Sequence, residues 1–284
     1  MGSSSSKSSY YPPAELDRSW RKVTWRERNQ ILPELESLTS SEVLKILLYG
    51  PTGAGKSSFV NSVQKALLGR NVISAQEQTI RSGKSFTATI KTHKMKKRGG
   101  GRFPFVFQDI MGLQPDNLGG IETTDVINIL EGHISDGYTF NPLCSITKDH
   151  PKYNQQPNPD DKVHCLVCIL PADCISRMNN EVFDKMRFIR KTAAKLNIPQ
   201  VIVLTKVDQA CEVVNKDLKK IYQSRKMSDK IQECSDKLGI SLNNIYPVQN
   251  YYAEITPDEA TDVLILMALR DIVNFAKDFV EDRD

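Results

Sequence analysis

Residues 50–57 read Gly50-Pro51-Thr52-Gly53-Ala54-Gly55-Lys56-Ser57, and an apolar run, residues 43–49, comes directly before them. The spacing is G-x-x-x-x-G-K-[ST]. A strand-like stretch leads into it and a helix-like stretch, residues 57–68, leads out, which is the context the pattern requires. The physical demand behind it is donor density: a row of phosphates needs many N–H groups in a small volume. Gly53 and Gly55 let the backbone wrap closely enough to supply them. The start of the following helix adds the positive end of its dipole. Lys56 is expected to reach the terminal phosphates, and the Ser57 hydroxyl to serve Mg²⁺. The expected contact set in this stretch is Gly50, Thr52, Gly53, Ala54, Gly55, Lys56, Ser57 and Ser58. The competing reading, a chance glycine turn, does not account for the strand before it and the helix after it.

Working outward, two further strand-end motifs follow. Asp109-Ile110-Met111-Gly112 comes after the apolar run 103–108. An acid at such a place in a phosphate-loop protein holds Mg²⁺, and a bare glycine offers its N–H to the last phosphate. Thr205-Lys206-Val207-Asp208 comes after the run 201–204 and fits [NT]-K-x-D. Guanine presents an N1–H and a 2-amino group side by side, and one carboxylate accepts from both. Adenine offers no such pair, so Asp208 is expected to set base choice, with the stem of Lys206 over the base plane. The alternative for this tetrapeptide is a solvated loop. A last base contact is expected after the next strand, at Gln249 or Asn250, where the sequence departs from the S-A-K form of small GTPases.

The catalytic residue is open. Thr87 is one candidate for a switch threonine, but Ser85, Thr79, Thr89 and Thr92 lie nearby. Leu113 stands where Ras-like enzymes carry a water-orienting glutamine. Gln114, one step on, is the other candidate. Slow intrinsic hydrolysis is expected, with help from a partner or from an arginine of a second copy in a homodimer. A glutamine at position 113 is expected to speed hydrolysis if the geometry is Ras-like.

The rest of the chain alternates. Strands are expected at 86–96, 102–108, 163–170, 201–204 and 245–248, and helices at 180–196, 211–238 and 257–280. Strands alternating with helices imply an α/β fold with a mostly parallel sheet flanked by helices, here a P-loop NTPase of the Ras-like G-domain kind. The stretch 86–108 turns at Gly99-Gly100-Gly101 and implies one antiparallel edge strand. Residues 1–13 are Ser-rich and expected to be a disordered tail. Residues 14–40 carry Trp20 and Trp25 and a short amphipathic helix, expected to pack on the main domain. The G domain is expected over 41–284, with an insertion at about 114–161, a connection too long to be an ordinary loop.

Bulk properties exclude little. The chain has 284 residues, 39% apolar and 25% charged, with a net charge of +4, too mild to argue for nucleic acid. No apolar run reaches the length of a membrane span. The six cysteines are read as reduced thiols of a cytoplasmic protein. His164, Cys165 and Cys168 lie within one strand-like run, which favours core packing over zinc. Met1-Gly2 with Ser6 and Lys7 fits an N-myristoylation pattern. Acylation of Gly2 and a plain polar tail both remain open, and one acyl chain anchors weakly.

With the motifs placed, the chain resembles the GTPase-like part of the interferon-induced protein 44 family. The resemblance rests on ILLYGPTGAGKSSFVNSV (46–63), DIMGL (109–113), YTFNP (138–142), DKVHC (161–165), VLTKVD (203–208), VQNY (248–251) and DVLILMALR (262–270). It covers roughly 40–284 and includes the long connection after Leu113. The longer members carry an additional N-terminal TLDc domain to which no segment here corresponds, so a short form is expected. The resemblance implies GTP or GDP binding with Mg²⁺, a cytoplasmic location, unidentified protein partners and a part in the innate antiviral response.

Overall fold

The computed structural model describes residues 13–72, 88–115 and 119–283. Six strands form one sheet in the order β2-β3-β1-β4-β5-β6. They are β1 (Leu44–Tyr49), β2 (Lys91–Lys96), β3 (Arg102–Asp109), β4 (Cys165–Pro171), β5 (Gln200–Thr205) and β6 (Ile245–Pro247). All neighbours are parallel except β2 and β3, which form the antiparallel edge that the glycine turn implied. The central strand β4 is buried at every position. A parallel sheet covered on both faces demands such an unbroken apolar strand. Cys165 and Cys168 therefore both lie in the core, and burial pushes the Cys168 thiol up to about 12.

The helices are α1 (Arg28–Glu36), α2 (Lys56–Leu68), α3 (Thr123–Leu130), α4 (Asn180–Lys195), α5 (Val207–Ala210), α6 (Glu212–Lys216), α7 (Arg225–Leu238) and α8 (Glu259–Glu281). One group, α1, α2 and α8, packs together against β1 and its neighbours; α3, α4 and α7 form the other. The stripe Ile31, Leu32 and Leu35 is the buried face of α1, despite Pro33 inside the helix.

Residues 211–238, expected as one helical stretch, are broken. α6 and α7 are separated by a short 3₁₀ turn and by buried Ile221 and Tyr222. The cause is long-range. The segment before α1 crosses there, with Leu16 and Trp20 N–H groups donating to Gln223 O (2.7 Å) and Tyr222 O (3.0 Å). Trp20 meets Tyr222 edge-on at 4.9 Å. The Arg21 guanidinium sits 5.2–5.7 Å from the rings of Trp20, Tyr222 and Tyr246 and donates to Ile245 O and Leu242 O. Ser224 then caps α7 by accepting from Met227 N–H.

The long connection after Leu113 folds back on the domain, burying Ile121, Tyr138, Phe140 and Ile146. Asp125 on α3 is wholly buried and accepts from Ile146 N–H at 2.8 Å. Burial lifts its carboxyl to about 6. At the opposite end of the sheet from the strand-end motifs, buried His164 accepts from Lys45 N–H through Nδ1 at 3.0 Å; burial, with Arg283 nearby, holds it down to about 4.

Candidate functional site

The carboxyl ends of β1, β3, β5 and β6 converge. From β1 the chain goes to β3 on one side and then returns to β4 on the other, so the crevice beside β1 is a topological switch point, where open α/β sheets bind ligands. All described motif residues gather there.

The loop from Gly50 to Gly55 joins β1 to α2. The N–H groups of Lys56, Ser57 and Ser58 begin α2 and have no partner within the helix. Gly53 has a φ of 76° and a side of open space, where an added Cβ would touch nothing within 4 Å. Lys56 is buried. Its Nζ rests 3.4 Å from Gly50 O and 3.3 Å from Pro51 O. Burial lowers its pKa, which Asp109 partly offsets. An ammonium so placed, with no ion pair among the described residues, suits an anionic ligand.

Asp109 ends β3 and is 1% exposed. Its Oδ2 accepts from Ser57 Oγ at 2.5 Å, while Oδ1 is buried without a hydrogen-bond partner. A buried carboxylate oxygen left open beside a serine hydroxyl fits a hard cation. Among the described residues no group of three or more His, Cys, Asp or Glu side chains could hold a metal. One carboxylate, one hydroxyl and ligand oxygens are, however, a donor set that Mg²⁺ accepts.

After Asp109 the chain docks onto the loop. Leu113 N–H donates to Gly50 O (3.0 Å), and Thr52 N–H donates to Leu113 O (3.1 Å). This pairing turns the Leu113 side chain into the core, 1% exposed. The side chain at 113, where a Ras-like glutamine would stand, thus packs inward. Gln114 is the residue whose side chain reaches the loop, donating from Nε2 to Thr52 Oγ1 at 3.0 Å, while Lys185 on α4 donates to its carbonyl at 2.9 Å. Gly112 lies so close to Thr52 that a Cβ would stand 2.4–2.6 Å from Thr52 Oγ1, Cα and N. Thr87 lies outside the described residues, as does Ser85.

The Thr205–Asp208 motif divides in two. Lys206 takes a left-handed conformation, φ 56°, and Asp208 lies in the first turn of the short helix α5. Half-buried Asp208 makes no hydrogen bond or ion pair among the described residues. Thr205 instead turns its hydroxyl into the phosphate loop, within 2.6 Å of Ala54 O and 3.1 Å of Leu170 O. Asn250 does similar work from the far side, donating from Nδ2 to Gly55 O at 3.2 Å and leaving Oδ1 buried without a partner. Gln249 is half-buried next to it. Thr205 and Asn250, both expected at the ligand, bond to the loop through their side chains; no local signal distinguishes the two roles.

No protein-family profile matches the chain. Among solved structures, Toc33 from Arabidopsis thaliana, crystallised in complex with GDP and Mg²⁺, aligns with a TM-score of 0.50 at 14% identity, over 89% of this chain and 92% of that one. At that identity the likeness concerns the fold. Among curated proteins, human interferon-induced protein 44 is 35% identical over 240 residues, 84% of this chain and 53% of the relative. Human interferon-induced protein 44-like is 32% identical over 274 residues, 94% of this chain and 60% of the relative. The chain thus spans between half and two thirds of the length of these relatives. With the GTPase-like α/β fold in place and identity of this order along most of its length, the chain belongs to the interferon-induced protein 44 family.

Proposed function

We propose that this chain binds GTP or GDP together with Mg²⁺ at the converging strand ends, and that it hydrolyses GTP slowly or only with a partner's help. The observation that carries the reading is Asp109, with one oxygen on the Ser57 hydroxyl and the other buried and open, beside the open N–H groups at the start of α2 and a buried Lys56 with no ion pair among the described residues. In this reading Lys56 and the loop N–H groups hold the phosphates. Ser57 and Asp109 hold Mg²⁺, which when bound offsets phosphate charge. Asp208 and the half-buried pair Gln249 and Asn250 take the guanine. That Toc33 was solved with GDP and Mg²⁺ supports the ligand pair. The name of the relatives, interferon-induced, supports a part in the innate antiviral response.

Slow hydrolysis follows from position 113: the side chain there is packed in the core and cannot order a water. Gln114, whose amide donates to Thr52 Oγ1, is one source of help, and an arginine from a second copy would be another. Titration of the purified chain with GDP, with and without Mg²⁺, tests the reading. The wild type should bind tightly, Lys56→Ala should lose binding, and Asp109→Asn should lose most of its dependence on Mg²⁺. Equal affinity in all three, or no binding by the wild type, would overturn it.

A further inference from the structure

We infer that the cleft between the C-terminal end of α2 and the β2–β3 turn is a binding site for clustered phosphate groups, of the kind a phosphorylated inositol ring carries. The cleft is about 480 Å³ and is lined by Leu68, Gly69, Arg70, Lys96, Lys97 and Arg98. It lies at the end of the sheet where β3 begins, away from the strand-end motifs, so its ligand is not the nucleotide of the site above. Residues 91–102 hold six cationic side chains and no acidic one, although the whole chain has a net charge of only +4. Among the described residues, Arg70, Lys96, Lys97 and Arg98 take part in no ion pair.

Contacts fix the Lys96 backbone and the side chains of Lys97 and Arg98. Buried Gln64 on α2 clasps Lys96 through both backbone groups, donating to its carbonyl at 3.1 Å and accepting from its N–H at 2.8 Å. Arg98 Nε donates to Leu67 O at 3.1 Å. Lys97 Nζ donates to Glu36 O at 2.9 Å and lies 5.3 Å from the Phe103 ring centre. At the tip, Gly99 to Gly101, no described residue lies within 4 Å of an added Cβ.

Two ordinary explanations cover part of this. Lysines on an edge strand discourage pairing with other sheets, which accounts for Lys91 and Lys94. A guanidinium at a helix C-terminus satisfies open carbonyls, which accounts for the Nε of Arg98. Neither explains four cations gathered around one concavity with no acid. Like charges so placed repel and cost stability until an anion joins them, and arginine suits phosphate geometry. The lining contains no aromatic ring on which bases could stack, and the charges converge on a cavity instead of following an extended backbone. Both facts favour a compact polyphosphate over nucleic acid. The source is either a free inositol polyphosphate or the headgroup of a membrane phosphoinositide.

The test uses the full chain and inositol hexakisphosphate by calorimetry at about 150 mM salt. Saturable one-to-one binding is expected. Arg70→Glu with Lys96→Glu should weaken it at least about tenfold, while Lys191→Glu with Lys195→Glu, the same charge change on exposed residues of α4, should leave it intact. GDP affinity should not move in either double variant. Flotation with vesicles containing phosphatidylinositol bisphosphate, competed by the soluble ligand, assigns the headgroup source; binding in solution without flotation assigns the free one. The proposal fails if binding does not saturate, if both double variants weaken it equally, if phosphatidylserine vesicles of equal charge bind as well, or if duplex RNA displaces the ligand stoichiometrically.

Discussion

Gly112→Ala should prise the segment after β3 away from the phosphate loop. An added Cβ would stand 2.4 Å from Thr52 Oγ1, 2.5 Å from its Cα and 2.6 Å from its N. Carbon contacts settle near 3.5–4.0 Å, so the gap must widen by about 1 Å. Two of the three atoms are backbone, and a rotamer change at Thr52 cannot relieve them. The gap is spanned by Leu113 N–H to Gly50 O (3.0 Å), Thr52 N–H to Leu113 O (3.1 Å) and Gln114 Nε2 to Thr52 Oγ1 (3.0 Å). Widening it takes all three beyond useful range, and at about 0.5–1.5 kcal/mol net for each the loss is about 2–4 kcal/mol. Urea unfolding followed by circular dichroism measures it. Asp109 lies three residues earlier on the same segment, so Mg²⁺-dependent GDP affinity should fall as well. Two comparisons sharpen the reasoning. Gly53→Ala meets no atom but has a φ of 76°, so it should cost only about 1–2 kcal/mol from the left-handed backbone. Adding Thr52→Gly to Gly112→Ala should not rescue stability, because Cα and N remain. Wild-type stability in Gly112→Ala, or full rescue by Thr52→Gly, would refute the argument.

Leu113→Gln should lose about 2–4 kcal/mol, from lost apolar burial and an amide placed in the core, with no gain in single-turnover hydrolysis; faster hydrolysis would show that residue 113 can swing into the site. Asp208→Asn should weaken GDP while improving xanthosine diphosphate relative to it, read by competition against a fluorescent nucleotide; an unchanged ratio contradicts the base-reading role. His164 and Asp125 should oppose each other in acid. His164 titrates near 4 in the fold and near 6.5 when unfolded, so it loses stability as pH falls through that window. Asp125 titrates near 6 in the fold and near 3.8 when unfolded, so it regains stability as pH falls below about 6. Asp125→Asn should therefore steepen the loss between pH 6.5 and 4.5 by roughly 1–3 kcal/mol in urea unfolding, and a profile parallel to the wild type would count against it.

The parts of the fold legible in the sequence are those whose causes are local. The Gly50–Ser57 loop, the acid that ends β3 and the T-K-x-D tetrapeptide each sit on a strand end that apolar runs announce, and the triple glycine marks the antiparallel edge. What escaped depends on partners far along the chain. Nothing in residues 211–238 says that Trp20 and Leu16 will pair with Tyr222 and Gln223 and interrupt the helix. Nothing near Leu113 says that its N–H will find Gly50, a contact that decides which way the side chain faces. The same holds for Asn250, whose bond to Gly55 spans nearly the whole domain.

That bond and the one from Thr205 to Ala54 have a thermodynamic consequence. The segments proposed to read a base are also the struts of the loop proposed to hold phosphates. Occupying either half of the crevice therefore alters the free energy of filling the other, and linkage makes the effect reciprocal. A nucleobase analogue and pyrophosphate offered as separate molecules should therefore each change the affinity of the other by the same factor.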